Sequence, residues 1–208
     1  MGGNGQGSAV TAATTMDDAV VRAALAGDAR AFEVVYRDVQ PRLLRYLQSL
    51  VGQDAADVAG ETWLQVARDL GSFRGGADDL RGWIVTIGRR RALDAGRARG
   101  RRPSDPCEPA LLPEPRPAVE SHAGDAATAA EQALATRRAL DLIGQLPTDQ
   151  AEAVLLTVVV GLDGPAAARV LGKRAGAVRM ARSRGLASLK VILQQQSVTL
   201  SDPAALRR

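Results

Sequence analysis

Aromatic residues are scarce in this chain, 3% of 208 positions with two each of Trp, Tyr and Phe. So few bulky anchors argue against one large core and for two small modules. There is one cysteine, Cys107, which cannot close an internal disulfide, and one histidine, His122. Both fall in the same proline-rich segment, apart from each other and from any carboxylate pair, so no nucleophile-base arrangement and no zinc site is expected. No catalytic residue, cofactor or metal is assigned. No apolar run is long enough to span a bilayer. The opening MGGNGQGSAVTAATT has neither the charged start nor the apolar core of a signal peptide, and residues 1–16 read as a flexible leader. These absences point to a cytoplasmic protein. Strand-forming runs are also few, whereas Ala, Leu and Arg abound, so the expected fold is all-α. The one rival strand, Val158 to Val160, lies inside the pattern Val154, Leu155, Val158, Val159, whose spacing favours a buried helix.

Acid is missing where base is dense. From Arg81 to Arg102 there are eight arginines against Asp94 alone, and from Arg169 to Lys190 seven basic residues and no acid. The formal charge of +4 therefore hides two separate basic patches. Between them, residues 103–127 carry Asp105, Glu108, Glu114, Glu120 and Asp125 against Arg116, together with six prolines. That segment reads as a stiffened acidic linker and a domain boundary. A module at 17–102, a second at 128–193 and a tail at 194–208 complete the division.

The stretch Asp78 to Arg102 organises the first module. Leu80, Trp83, Ile84 and Ile87 form an apolar helical stripe, with Asp78 or Asp79 available as N-cap. Thr86, Arg90, Leu93 and Arg97 lie on a second line, thickened by Arg89, Arg91, Arg99, Arg101 and Arg102. Such a face suits a polyanion; the alternative is a solvated helix end matched to the macrodipole. Upstream, Asp17 or Asp18 and then Asp28 can cap helices, with Pro41 at a boundary or kink and Gly52 as a stop. Asp54 opens a further helix. Asp54, Asp57 and Glu61 share one flank of it, a solvated or protein-facing edge. The glycine-containing loop from Ser72 to Ala77, with Phe73 and Arg74, is either a pocket wall or an ordinary connection. Trp63 and Trp83 are expected to pack together in the core.

In the second module Thr148 can cap the helix that carries Val154 to Val160, which Gly161 ends. The sharpest local pattern is GPAAARVLGKRAGAVRMARSRG, from Gly164 to Gly185. It reads as a short helix, a turn at Gly172 and a basic second helix, with small residues where the two cross. A helix-turn-helix of this kind would offer Arg174, Arg179, Met180 and Ser183 to base edges and Lys173, Arg182 and Arg184 to phosphates. A plain helical hairpin is the alternative.

Taken together, these stretches resemble RNA polymerase sigma factors of the extracytoplasmic-function group, from about Asp28 to Leu189. The first block is Ala31-Phe32, PRLLRYL from Pro41, DVAGETW from Asp57, FRG from Phe73, RGWIVTI from Arg81 and RALD from Arg91; it resembles the family's region two. LPTDQAEAVLL from Leu146 and VLGKRAGAVRMARSRGLASL from Val170 resemble region four. The resemblance implies two helical domains and a non-enzymatic subunit. Its expected partners are core RNA polymerase (clamp helices and flap), promoter DNA and an anti-sigma factor. It implies that Asp54, Asp57 and Glu61 face the polymerase clamp. Phe73 and Arg74 would border a flipped-base pocket at the minus-ten element, with Arg89, Arg90 and Arg97 along the DNA path. Region four would read the minus-thirty-five element, and the linker would thread the polymerase's RNA path. Two positions depart from the family pattern. Gly60 stands where glutamine is common, and Arg90 where asparagine is common; arginine's fork favours guanine or phosphate over adenine. Two other classes stay open on the residues alone. A free-standing helix-turn-helix regulator leaves the first module unexplained, and a nucleic-acid enzyme lacks a histidine or carboxylate cluster beside its basic helices.

Overall fold

The computed structural model describes residues 16–101 and 123–201. Asp17 caps α1 (Asp18–Leu25), its Oδ1 accepting the Val20 N–H at 2.8 Å, and Asp28 caps α2 (Ala29–Val51) by accepting from Arg30 and Ala31. α2 is the beam of the first module: Val35, Val39, Leu43, Tyr46 and Leu47 recur every three or four residues and are all fully buried. Pro41 lies inside this helix and does not end it. The buried stripe on both sides of the proline outweighs the one lost backbone hydrogen bond.

α3 (Ala55–Asp69) follows a 3-10 turn, Gly52–Asp54, and Asp54 gives it no side-chain capping bond. α4 (Ala77–Arg101) buries Leu80, Ile84, Val85 and Ile87. Its start is held from two sides, and the local one that the sequence suggests is the longer bond: Asp79 Oδ2 accepts the Gly76 N–H at 3.4 Å. The Ala77 N–H donates to Asp18 Oδ1 at 2.7 Å, across 59 positions, while Asp78 is taken by Arg81. α1 lies against α4, so a carboxylate from another helix reaches the exposed donor first.

The tryptophans also divide differently. Trp63 packs edge-on to Phe32, tilts against Tyr36 and donates from Nε1 to Gln40 Oε1 at 2.6 Å. Trp83 sits on Phe73, with ring centroids 5.3 Å apart. Both serve the core, each with its own aromatic partner.

The second module comprises α5 (Ala123–Gly144), α6 (Thr148–Val154), a π-helical turn (Leu155–Val159), α7 (Gly164–Leu171) and α8 (Ala175–Ser201). α5 therefore begins ahead of Thr128, and α8 continues past residue 194. Thr148 is not a cap. Pro147 holds the extended N-cap position and its carbonyl accepts from Gln150 and Ala151, which makes Thr148 the first helical residue. No strand occurs among the described residues, and Val158 to Val160 fall in and just after the π turn. The two modules touch: α7 lies along α4, and the π turn lies on α2.

Candidate nucleic-acid interface

Asp163 caps α7, its Oδ1 accepting the Ala166 N–H at 2.6 Å, and Gly172 then turns the chain in the left-handed region at φ 65°. Only a residue without a Cβ takes that conformation without strain. Ala167, Ala168 and Val170 before the turn and Val178 and Ala181 after it are buried. The two helices thus cross on small side chains, the geometry of a helix-turn-helix. Arg174, Arg179, Met180, Arg182, Ser183 and Arg184 are all exposed along the first turns of α8. Arg179, Arg182 and Ser183 stand on one line, Met180 and Arg184 on the next. Lys173 is engaged instead: its Nζ meets Asp149 Oδ1 of α6 at 2.6 Å.

On α4, the run Arg89-Arg90-Arg91 sends three like side chains three ways, because successive residues on a helix are ~100° apart. Arg91 turns to α3, donating to Glu61 Oε2 at 2.6 Å and to Gln65 Oε1 at 3.1 and 3.2 Å. Arg89 turns to the second module and donates from Nε and Nη2 to Glu152 Oε1, at 3.2 and 2.7 Å. Burial works against the Arg89 charge, but the hydrogen bond and the charge of Glu152 more than restore it, and its pKa is held above the ordinary value. Arg90 is exposed and has no hydrogen-bond or ion-pair partner among the described residues. Arg97 is exposed and pairs with Asp94 at 3.0 Å. Arg99, Arg101 and Arg102 lie where side chains are outside the described residues.

The loop before α4 is well tied. Phe73 is buried against Trp83, and Arg74 folds back so that its Nη1 donates to the carbonyls of Gly71 and Phe73. Arg81, itself buried, joins Asp78 to Asp38 of α2, and Asp38 in turn pairs with Arg42 at 3.6 Å. Asp54, Asp57 and Glu61 line one cleft between α3 and α4, about 420 Å³, with Val58, Arg91, Asp94, Ala95 and Ala98. The guanidinium of Arg91 neutralises part of that cleft. No group of three or more His, Cys, Asp or Glu arranged to hold a metal occurs among the described residues.

Four residues important to this geometry escaped sequence reasoning: Asp38, Arg42, Tyr46 and Glu152. Glu152 did carry a signal. It is an acid within AEAVLLTVVV, and an acid on a helix that apolar must be paired if it is buried. Its partner, 63 positions away, carried none.

Residues 35–102 match the family described as Sigma-70 region 2, and residues 136–189 match Sigma-70, region 4. The chain is 36% identical over 179 residues to the ECF RNA polymerase sigma factor SigD of Mycobacterium tuberculosis, covering 83% of this chain and 82% of that one. It is 30% identical to the ECF RNA polymerase sigma factor ShbA of Streptomyces griseus, over 88% of this chain and 97% of that one. Among solved structures it is similar to CnrH in complex with the cytosolic domain of CnrY, with a TM-score of 0.58 and 26% identity, covering 86% of this chain and 97% of that one.

Proposed function

The chain belongs to the sigma-70 family of RNA polymerase sigma factors, in its extracytoplasmic-function group, and on that footing we propose that it directs core polymerase to promoters by reading both upstream elements. The supporting observation is that each sigma region presents its own arginine-bearing helix: α8 beyond the left-handed turn at Gly172, and α4 with Arg90 open to solvent.

In this reading α8 enters the major groove of the minus-thirty-five element. Arg179, Met180 and Ser183, with Arg174 at the turn, meet base edges; Arg182 and Arg184, with Lys173, meet phosphates. The first module takes the minus-ten element. Arg90 and Arg97 line the strand's path with Arg89, and Phe73 and Arg74 form the wall of the base pocket. Opening the duplex needs no nucleotide hydrolysis by this protein. Bases trapped out of the stack offset an unstacking cost of roughly a few kcal/mol per base. The chemistry of RNA synthesis stays with the polymerase, and this subunit carries no catalytic residue.

The acidic edge of Asp54, Asp57 and Glu61 faces the polymerase clamp, and the second module meets the flap. The protein works in the cytoplasm, where its polymerase is. CnrH has been solved with the cytosolic domain of another protein, and a comparable anti-sigma partner is proposed for this chain.

Transcription of a genomic DNA library by bacterial core polymerase, with and without this protein, tests the reading. New RNA starts sharing two upstream elements are expected. Binding of duplex DNA without any new start would refute it in favour of a free-standing regulator.

A further inference from the structure

The wall assigned to the minus-ten base is held in place by a helix that forms no part of it. Upstream the wall is tied within its own element: the 3-10 turn Leu70–Ser72 ends with the Phe73 N–H on the Leu70 carbonyl at 3.0 Å, and Ser72 Oγ donates to the Asp69 carbonyl at 2.7 Å. Downstream the two bonds are unlike. Asp79 Oδ2 accepts the Gly76 N–H at 3.4 Å, whereas Asp18 Oδ1 of α1 accepts the Ala77 N–H at 2.7 Å. The shorter bond to a carboxylate is the stronger. α1 lies ahead of the residues 35–102 that match region 2. It is seated by Val21 and Ala24, both buried, with α2 and α4 as its neighbours.

Two glycines are shaped to this contact. A Cβ on Gly76 would stand 2.6 Å from Asp18 Oδ1 and 3.2 Å from its Cγ, and Gly76 does not have the positive φ that would call for glycine on its own account. The missing side chain there serves the approach of Asp18. Gly75, at φ +149°, would place a Cβ 2.8 Å from Asp79 Cβ and 2.9 Å from Phe73 Cζ. The chain therefore lies flat between the Phe73 ring and the first turn of α4. Phe73 is buried on Trp83, while Arg74 and Gly75 are exposed. A shift at Ala77 passes to this exposed part of the wall through two residues that have no side chains to resist it.

We infer that Asp18 is a positioning residue for base capture: its bond to Ala77 sets the conformation of the wall from Phe73 to Gly76, and Asp18 itself meets neither base nor phosphate. The inference rests on the promoter-reading function proposed above. Glycine backbone has more conformational freedom to lose than any other, and a loop that is already ordered adds no such loss at the moment of binding. Asp18 and Gly76 act as one unit, so removing the contact from either side should have the same effect as removing it from both.

Initiation by core polymerase with the full-length chain, from a matched promoter and from copies with one minus-ten base changed at a time, tests this role. Asp18→Ala should lower initiation from the matched promoter about tenfold, inside the ~100-fold that misplacing a positioned group can cost. It should also flatten the discrimination at one minus-ten position while the other positions keep theirs. Asp18→Asn keeps an oxygen acceptor, with a bond of roughly half the strength, and should recover most of both. Gly76→Ala displaces only the flexible end of Asp18 and should match Asp18→Ala, and the double variant should be no worse than either. Asp28→Ala uncaps α2 instead, at a similar cost in stability, and should keep the discrimination. Undiminished discrimination in Asp18→Ala, an equal loss in Asp28→Ala, or losses in Asp18→Ala and Gly76→Ala that add, would overturn the positioning role. If the unaltered chain initiates from no promoter, the promoter-reading function falls, and amide hydrogen exchange across residues 72–79 still decides whether Asp18 holds the loop. Faster exchange in Asp18→Ala, slowed again in Asp18→Asn, is expected; exchange that Asp18→Ala leaves unchanged would overturn the hold.

Discussion

Gly88 and Leu43 face each other where α4 crosses α2. A Cβ on Gly88 would stand 2.9 Å from Leu43 Cδ1, 3.5 Å from Thr62 Oγ1 and 3.6 Å from Leu47 Cδ2. Gly88→Ala alone sets two effects against each other. It removes glycine's helix penalty of ~1 kcal/mol and drives a methyl into a fully buried leucine, an overpacking that costs ~1–3 kcal/mol. The net expected loss is ~1 kcal/mol. Leu43→Ala alone leaves a cavity and should cost ~3 kcal/mol. In the double variant the new methyl enters the space that Leu43 vacates, so the clash disappears and the helix gain remains. Gly88→Ala should then stabilise by ~1–2 kcal/mol, a coupling of ~2–3 kcal/mol between the sites. Urea unfolding of the full chain, followed by circular dichroism and by tryptophan fluorescence, measures all four corners of the cycle. Both tryptophans lie in this module, so the second probe isolates it. Additivity within ~0.5 kcal/mol would refute the α2–α4 register, and with it the directions assigned to Arg89, Arg90 and Arg91.

Arg179→Ala should weaken binding to a matched upstream element by ~1–3 kcal/mol and scrambled DNA far less, whereas Arg184→Ala should weaken both alike and lower the salt slope by ~1. Competition titrations at several salt concentrations separate the two, and equal losses for Arg179→Ala would contradict its base-reading role. Asp18→Ala removes the bond to the Ala77 N–H and should cost ~1 kcal/mol of stability in urea unfolding while leaving duplex binding by α8 intact. Burial pushes the Tyr46 phenol well above its ordinary pKa, against a smaller opposing effect of the Arg89 charge. As pH rises past ~10 the unfolded chain releases this proton first, so its contribution is whole below ~pH 10 and falls by ~1.4 kcal/mol per pH unit above it. Tyr46→Phe should flatten that slope in urea midpoints taken from pH 8.5 to 11. Near neutral pH it should be neutral or stabilising, because the lost hydroxyl lies close to Arg89 but has no partner of hydrogen-bonding geometry.

The sequence alone carried the local decisions. An acid at 17 or 18 and Asp28 cap, Gly52, Gly161 and Gly172 stop or turn, and the period of Leu80, Ile84 and Ile87 marks a buried face, because each depends on a residue and its neighbours within a turn. The alanines around Gly172 declared two helices crossing closely, and the motif blocks were enough to identify the family. Which partner each group meets was decided only in three dimensions. Helical period says which side is buried and not against what, so Trp63 and Trp83 were expected to pack together although each found its own aromatic neighbour. At the start of α4, Asp79 accepts locally from the Gly76 N–H at 3.4 Å, but the shorter bond, to the Ala77 N–H, comes from Asp18 of another helix, which only the packing brings there. Three consecutive arginines were identical as letters. The fold gave one to Glu61, one to Glu152 and left one to solvent, because a ~100° step turns adjacent side chains toward different neighbours.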